Sequence, residues 1–320
     1  MLLNKEQLDL LGNISVAVIG DIMLDKYVYG IVDRISPEAP IPIVTADNEV
    51  ETLGGAGNVI SNLRGFDVKA IPVGIIGGDI FGTKVSSLID ELGSSTDYLL
   101  VSDNIPTNLK TRIIAGNQQL IRLDWDSSRP SELEEKRLKK YITDSLKSVD
   151  VIIISDYAKG VCSCKVVKHA IHTAKNRDIP IIVDPKGKDF SKYKGASCIT
   201  PNTKEAQGVV PFEIDSDDSF EKAAHWITEN FDIDVCIITR GEDGMVLFEN
   251  NEIIRIPTIA QEVFDVSGAG DTVVAVLAAS LALGMNYKNA AKIANAAAGV
   301  VVSHIGTYPI NIQSLNAGLH

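Results

Sequence analysis

The chain of 320 residues predicts an α/β fold: a doubly wound, mainly parallel sheet with helices on both faces and a small inserted β-sheet lid. Three observations carry this expectation. Short apolar runs alternate with amphipathic stretches along most of the chain, the rhythm of strand–helix–strand crossovers. These runs end in polar or glycine-containing turns at Asp21, Asp156, Asp184, Asn202 and Arg240-Gly241, and open parallel sheets collect their ligands at the carboxyl ends of strands. Two tracts, about residues 26–52 and 107–126, break the rhythm with β-branched and aromatic pieces.

Taken in order, Val16-Ala17-Val18-Ile19-Gly20 reads as a buried parallel strand with Asp21 at its carboxyl end. The first irregular tract holds Tyr27-Val28-Tyr29 and Ile41-Pro42-Ile43-Val44 around the loop Arg34 to Pro40. The second holds Thr111-Arg112-Ile113-Ile114 and Gln119-Leu120-Ile121-Arg122-Leu123, parted by the hairpin signal Ala115-Gly116-Asn117. These four pieces form one small sheet, inserted in two parts and hinged over a cleft, with Trp125 near the end of its last strand. Between the tracts, Gly54-Gly55-Ala56-Gly57-Asn58 opens a helix, Ala70 to Ile76 is a strand, and a helix follows near 81–92. After the second tract come a helix near 131–147 and the strands Val151 to Ser155, Ile179 to Val183, Ser197 to Thr200 and Asp234 to Thr239. Trp226 and Met245 read as core. There is no repeat of 20–50 residues and no low-complexity tract.

The stretch Asp265-Val266-Ser267-Gly268-Ala269-Gly270-Asp271-Thr272 runs a glycine-rich turn into an apolar helix reaching about Gly284. The first turn of a helix carries N–H groups without intrahelical partners and the positive end of the macrodipole. Glycines there let a charged oxygen approach the backbone, so the turn suits an anion. A carboxylate at its edge repels phosphate, yet serves well as a general base toward a hydroxyl that attacks a phosphoryl group. Asp271 is that candidate.

Composition narrows the class. With 45% hydrophobic and 22% charged residues, the chain reads as one large globular unit spanning 1–320. A net charge of −12 and the lack of any Lys/Arg run speak against nonspecific nucleic-acid binding. Cys162, Cys164, Cys198 and Cys236 lack framework spacing, so reduced thiols are expected rather than zinc or disulfides. His169 and His172 lie three apart without a visible carboxylate or cysteine partner, and are discounted as metal ligands. Lys5, Glu6 and Asp9 interrupt any signal-peptide core, and the apolar run Thr272 to Met285 is too short to span a bilayer, so no membrane association and a cytoplasmic location are expected.

In sequence order, Gly54-Gly55-Ala56-Gly57-Asn58, Asn202 to Glu205 and Gly268-Ala269-Gly270-Asp271 resemble the Gly-Gly-x-x-x-Asn, Asn-x-x-Glu and Gly-Ala-Gly-Asp segments of the ribokinase (PfkB) superfamily of small-molecule kinases. The resemblance covers essentially the whole chain and implies a ribokinase-like fold. Longer words are similar to the kinase part of heptose-phosphate kinases: Gly20 to Asp25, Arg34 to Pro40, Asn117 to Asp124, Ser155 to Gly160 and Asp184 to Gly187.

The resemblance implies ATP and Mg2+ as cofactors and a sugar phosphate as substrate. It assigns proton removal from the acceptor hydroxyl to Asp271, with the amides of Gly268, Ala269 and Gly270 at the transferring phosphoryl group. Asn202, Thr203, Lys204 and Glu205 fall on the nucleotide side, with Asn202 and Glu205 organising magnesium through water. Thr239, Gly241, Gly244, Asn295 and Gly299, the last two on the final helix, border the nucleotide. Gly54, Gly55, Asp21, Asn58 and Asp184 suit the sugar, and Arg34, Lys110, Arg112, Arg122 and Lys186 supply positive charge for its phosphate.

The reaction implied is phosphorylation of the anomeric hydroxyl of D-glycero-β-D-manno-heptose 7-phosphate to the 1,7-bisphosphate, a step toward ADP-heptose and the lipopolysaccharide inner core. The nucleotidyltransferase domain often fused to such kinases is expected to be absent. Gly306-Thr307-Tyr308-Pro309 departs from the Gly-Thr-Ser expected near the carboxyl end. A homodimer through the lid is expected because apolar strand faces rarely stay exposed. The alternatives are a kinase for fructose phosphate, ribose or a nucleoside, and a catalytically silent sugar-phosphate sensor. A dinucleotide-dependent dehydrogenase is disfavoured because Gly20-Asp21 stands where a G-x-G-x-x-G would follow the first strand.

Overall fold

A computed structural model describes residues 4–116, 118–126, 129–258, 263, 265–304 and 306–317, so Asn117 and His320 lie outside the described residues. In chain order the elements are α1 (Lys5–Leu11), β1 (Ser15–Gly20), β2 (Ile22–Ile35), β3 (Pro42–Gly55), α2 (Ala56–Gly65), β4 (Lys69–Gly77), α3 (Ile80–Glu91), β5 (Leu99–Ser102), β6 (Asn108–Ala115) and β7 (Gln118–Trp125). They continue with α4 (Glu132–Ser145), β8 (Val151–Ser155), α5 (Cys164–Lys175), β9 (Ile181–Asp184), β10 (Cys198–Ile199), α6 (Thr203–Gln207), α7 (Asp217–Phe231) and β11 (Val235–Thr239). The last are β12 (Met245–Glu249), β13 (Glu252–Ile256), α8 (Ala269–Ala282), α9 (Tyr287–Val301) and α10 (Ile312–Ala317).

The main sheet has the order β13-β12-β11-β10-β9-β8-β1-β4-β5. It is parallel from β11 to β5, and β12 and β13 close one edge antiparallel. β8 is buried along its whole length, and β1 at every position after Ser15, because helices cover both faces and leave no polar side to alternate with. One apolar cluster joins the sheet to α2, α3, α8 and α9, and a second joins its opposite face to α4, α5 and α7. α8 is buried from Asp271 to Ser280, consistent with a helix apolar on every side. Side-chain caps start the outer helices, as at Ser131 and Ser216, whose hydroxyls accept the first-turn N–H groups.

The inserted sheet has the order β3-β2-β6-β7, antiparallel except for β2 with β6. Cross-strand register gives it two unlike faces. One carries Asp25, Tyr27, Lys110, Arg112, Arg122 and Asp124, and the other carries Val28, Ile113, Ile121, Leu123 and Trp125.

Several elements extend the expectation. The β12–β13 hairpin turns at Asn250-Asn251, with φ of +50° and +63°, the left-handed pair that a tight two-residue hairpin turn requires. β5 adds the far edge strand, and α10 follows α9, so the helix carrying Asn295 and Gly299 is not the final one. Among the described residues no helix is long and apolar enough to cross a membrane.

Candidate active site

Asp271 sits in the first turn of α8, 4% exposed. Gly268 precedes the helix with φ +80°, and a Cβ there would lie 2.7 Å from the Asn58 amide nitrogen, so both backbone sign and space call for glycine. α8 has no side-chain cap, and no acceptor is found among the described residues for the N–H groups of Gly270 and Asp271. The Ala269 N–H, expected to face a phosphoryl group, instead donates to the Val266 carbonyl at 3.2 Å. Asn58 Nδ2 donates to Asp271 Oδ2 at 2.8 Å and the Tyr157 hydroxyl to Oδ1 at 2.7 Å. Burial pushes the Asp271 carboxyl up to about 6, against the pull of these two donors. It therefore ionises just below neutrality, where a general base works best.

Above Asp271 lies the polar face of the inserted sheet. The Lys110 ammonium lies over the Tyr157 ring, 5.3 Å from its centroid, and makes no ion pair among the described residues. Burial lowers its pKa. Arg112 is held by Asp25 at 2.9 Å and lies over Tyr27, while Arg122 pairs with Asp124 at 2.8 Å and is half-exposed. Asp25 was not singled out from sequence, yet it is the buried carboxylate on this face. A Cβ on Gly54 would stand 2.5 Å from Asp25 Oδ2, so that glycine makes room for the carboxylate. Gly55, with φ +56°, turns β3 into α2.

The structure corrects several sequence expectations here. Asp21 does not face the cleft: it is fully buried, accepting N–H groups from Tyr157 (2.9 Å), Lys159 (3.0 Å) and Val161 (2.9 Å). A carboxylate so engaged stabilises the loop after β8 and offers no oxygen to a sugar. The Asn58 amide group is likewise committed to Asp271. Arg34 lies on the exposed outer part of β2, beyond Gly30, where β6 pairing ends, and so away from Lys110 and Arg112. Lys186 is far from the inserted sheet's cations in role: it pairs with Glu205 at 2.8 Å.

Asp184, Lys186, Asn202, Glu205, Gly268, Gly270 and Asp271 line one small polar cavity of about 150 Å³. Asn202 and Glu205 form a reciprocal cap at the start of α6, with Asn202 Oδ1 accepting from Glu205 N–H and Glu205 Oε2 from Asn202 N–H. That cap accounts for their spacing. Asp184 is different: its carboxylate receives no hydrogen bond among the described residues, and burial, then the charges of Asp271 and Glu205, drive its pKa well up. A mostly buried carboxylate without a donor beside a second one fits a hard cation with several waters, the preference of magnesium. Asp184 shares this cavity with Glu205, whose Oε1 is held by Lys186 and whose Oε2 accepts the Asn202 N–H. The buried trio Asp21, Asp156 and Cys162 has metal-like spacing, but its carboxylates are filled by backbone N–H groups, Lys192 and Tyr193.

The adjoining apolar cavity, about 360 Å³, is lined by Thr239, Gly241, Gly244, Val266, Gly270, Asn295, Gly299 and Val302 among others. It shares Thr239 and Gly270 with the polar cavity, so an apolar ring could lie in one while its phosphates reach the other. Thr203 donates to the Thr239 carbonyl and Lys204 is exposed; neither lines these cavities. Thr307 lies against Tyr27 at 3.5 Å, placing the unusual tail beside the inserted sheet. His169 bonds Thr143 between α4 and α5, and Cys162, Cys198 and Cys236 are buried free thiols, while Cys164 is exposed.

The sequence model described as pfkB family carbohydrate kinase matches residues 13–313. The bifunctional protein HldE of Wolinella succinogenes is 43% identical over 294 residues, covering 92% of this chain and 62% of that protein. HldE of Desulfatibacillum aliphaticivorans is 43% identical over 312 residues, covering 97% and 64%. The chain thus spans less than two thirds of these relatives. Phosphofructokinase-2 from Escherichia coli, in complex with potassium, superposes with a TM-score of 0.81 at 19% identity, covering 95% of this chain and 97% of that one. Ribokinase from Arabidopsis thaliana, complexed with ribose and ATP, gives 0.75 at 20% identity, covering 96% and 98%. At such identities the likeness speaks for the fold alone. The match over nearly the full length is decisive at the family level: this protein belongs to the pfkB family of carbohydrate kinases.

Proposed function

We propose that the protein is an ATP- and magnesium-dependent kinase that phosphorylates the anomeric hydroxyl of D-glycero-β-D-manno-heptose 7-phosphate. The observation that carries the reading is the placement of Asp271, a buried carboxyl near pH 6 in its ionisation, between the N–H groups of Gly270 and Asp271, which have no acceptor among the described residues, and the face of the inserted sheet that carries Lys110, Arg112 and Arg122. Asp271 takes the proton from the acceptor hydroxyl, whose oxygen then attacks the γ-phosphorus in line as the bond to ADP breaks. The N–H groups of Gly270 and Asp271 stabilise charge on the transferring phosphoryl oxygens. The adenine ring occupies the apolar cavity by Asn295 and Gly299, and the phosphates extend past Gly270. Asp184 and Glu205 would hold the magnesium ion, which when bound supplies positive charge beside those phosphates. The inserted sheet closes as a lid, excluding water that would compete as acceptor.

An acceptor that already bears a phosphate is supported by Lys110, Arg112 and Arg122 on one face of that lid. Only Lys110 among them lacks a carboxylate partner among the described residues, so it is the first candidate for an anionic group. The heptose itself is supported by the long words Gly20 to Asp25, Asn117 to Asp124 and Ser155 to Gly160. The product would feed ADP-heptose synthesis for the lipopolysaccharide inner core.

The test is ADP release with Mg·ATP over heptose 7-phosphate, fructose 6-phosphate, fructose 1-phosphate, ribose and adenosine, with phosphorus NMR of the product. Turnover confined to the heptose phosphate, with a new anomeric phosphate signal, is expected. Turnover with another acceptor overturns the substrate but keeps the chemistry. Asp271→Asn is expected to lose turnover by at least ~100-fold while retaining ATP binding; substantial turnover in that variant removes the base assignment.

A further inference from the structure

Asp271 is gripped from two sides, by Asn58 and by Tyr157, a residue of the word Ser155 to Gly160 with no role of its own assigned from sequence. Asn58 reaches Oδ2 from α2, while Tyr157 reaches Oδ1 from the loop that follows β8. We propose that Tyr157 is a positioning residue for the base, and that the loop 156–161 is built to hold its hydroxyl against Asp271. The inference rests on the reading of Asp271 as the base.

The loop is specified beyond what a connection needs. Asp21, at the end of β1, accepts the N–H groups of Tyr157, Lys159 and Val161, pinning the backbone on both sides of Ala158. Ala158 has φ +56°, a left-handed conformation that a residue with a Cβ adopts only when its surroundings impose it. Its N–H donates to Asp156 Oδ1 at 2.7 Å, and Asp156 is itself held by Lys192 and Tyr193. Two buried carboxylates therefore serve one short turn, which lines the polar cavity with Asp156 and Tyr157; Asp156 is tied to Lys192 and Tyr193, and Tyr157 is the one that reaches Asp271.

Chemistry gives the contact a direction. Burial and the Asp271 charge raise the Tyr157 phenol well above its ordinary range, so it stays protonated and only donates. A donor of that kind stabilises ionised Asp271 and disfavours its protonated form. It also occupies one lone pair of Oδ1, leaving the other for an incoming hydroxyl. The other groups around Asp271 are the Asn58 amide on α2, Asp25 and Lys110 on the inserted sheet, and Asp184 at the end of β9. Arg112 is bound to Asp25. None of these is removed by deleting the phenol oxygen. Lys110 over the Tyr157 ring also connects the cation of the inserted sheet to the group that holds the base.

The experiment compares kcat/KM against pH for the wild type and Tyr157→Phe with the same acceptor and Mg·ATP, so substrate phosphate titrations cancel. Loss of one hydrogen bond to a charged group is expected to raise the acid limb by about one pH unit. With the wild-type carboxyl at about 6, activity then falls about fivefold at pH 6, approaches an about tenfold loss below pH 5, and mostly recovers by pH 8. A second variant carries 3-fluorotyrosine at position 157, which preserves the shape and strengthens the donor; its acid limb should move down, and it decides the matter if Tyr157→Phe does not fold. Limbs that stay at the wild-type position, with any loss uniform across pH, overturn the inference. Asp271→Asn separates the two failures: turnover surviving there sinks the base and this inference together, whereas a dead Asp271→Asn with unmoved limbs sinks the role of Tyr157 alone.

Discussion

Asp184 shows how a residue can be placed against its own electrostatic preference. Among the described residues no donor reaches it in the polar cavity, near Asp271 and Glu205, and its pKa is raised well above 3.8 by burial first and by those charges second. Such an acid weakens the native state wherever it is forced to ionise. The sign follows directly. The folded chain binds the proton more tightly than the unfolded chain, so the penalty is complete above the raised native pKa and vanishes as pH falls toward 3.8. Without nucleotide or divalent ion, Asp184→Asn is expected to melt higher than the wild type at pH 8, by about 2 °C or more. That advantage should fade in melts recorded near pH 4. The same variant should lose the magnesium dependence of nucleotide binding. A lower melting temperature at pH 8 would mean that Asp184 has a compensating partner and is not held for a cation.

At the scale of elements, the joint between the main sheet and the inserted sheet is tied at Asp79. Its side chain caps α3 by accepting the Gly82 N–H at 2.8 Å and also receives the Thr107 N–H at 2.9 Å and hydroxyl at 2.8 Å, just before β6 begins. These bonds to Thr107 and Gly82 outweigh burial and depress its pKa. Here the sign reverses: the stabilisation is fully present above 3.8 and is lost as pH falls through the lower native value. Asp79→Ala should cost about 1–2 kcal/mol at neutral pH, measured by denaturant unfolding. It should also raise KM for the acceptor more than KM for ATP, because it loosens the lid strand and not the nucleotide cavity. Equal changes in both constants would count against a hinge.

Elements of this kind also show where the sequence was legible. The parallel strands could be read because burial on both faces leaves uninterrupted apolar runs such as Val151 to Ile154, and the glycine-rich turn into α8 because Gly268 stands where the backbone takes a positive φ. The β12–β13 hairpin was missed because Glu252-Ile253-Ile254-Arg255-Ile256 mixes polar and apolar residues at a sheet edge, although Asn250-Asn251 carried its turn signal. At the site, sequence could name the word Gly20 to Asp25 but not which of its carboxylates faces the cleft. That depends on where β1 ends and β2 departs into the other sheet, a long-range matter. Tyr157 stood in the word Ser155 to Gly160, but its place at the base was hidden for the same reason, since its partner lies 114 residues away.

For the whole molecule, the outstanding feature is an inserted sheet with one face turned to the cleft and the other largely apolar along β6 and β7, with Lys26, Glu49 and Glu51 ion-paired on its β2–β3 half. On β7 that second face exposes Ile121 (49%), Leu123 (37%) and Trp125 (51%). Open apolar strand faces of this kind invite a covering surface, and a second copy supplies a self-complementary one. We expect a homodimer through this face at micromolar concentration, measured by light scattering. Charge then predicts how it responds to salt. Each copy carries a formal net charge of −12, so association must work against mutual repulsion. The Debye length falls from ~30 Å at 0.01 M to ~10 Å at 0.1 M, which screens that repulsion while leaving apolar burial intact. The dimer should therefore tighten as salt is raised, the opposite of an interface held by ion pairs. Leu123→Asp places a charge at the centre of the face and should return a monomer that stays folded. A dimer that weakens with salt, or that survives Leu123→Asp unchanged, would move the interface away from the inserted sheet.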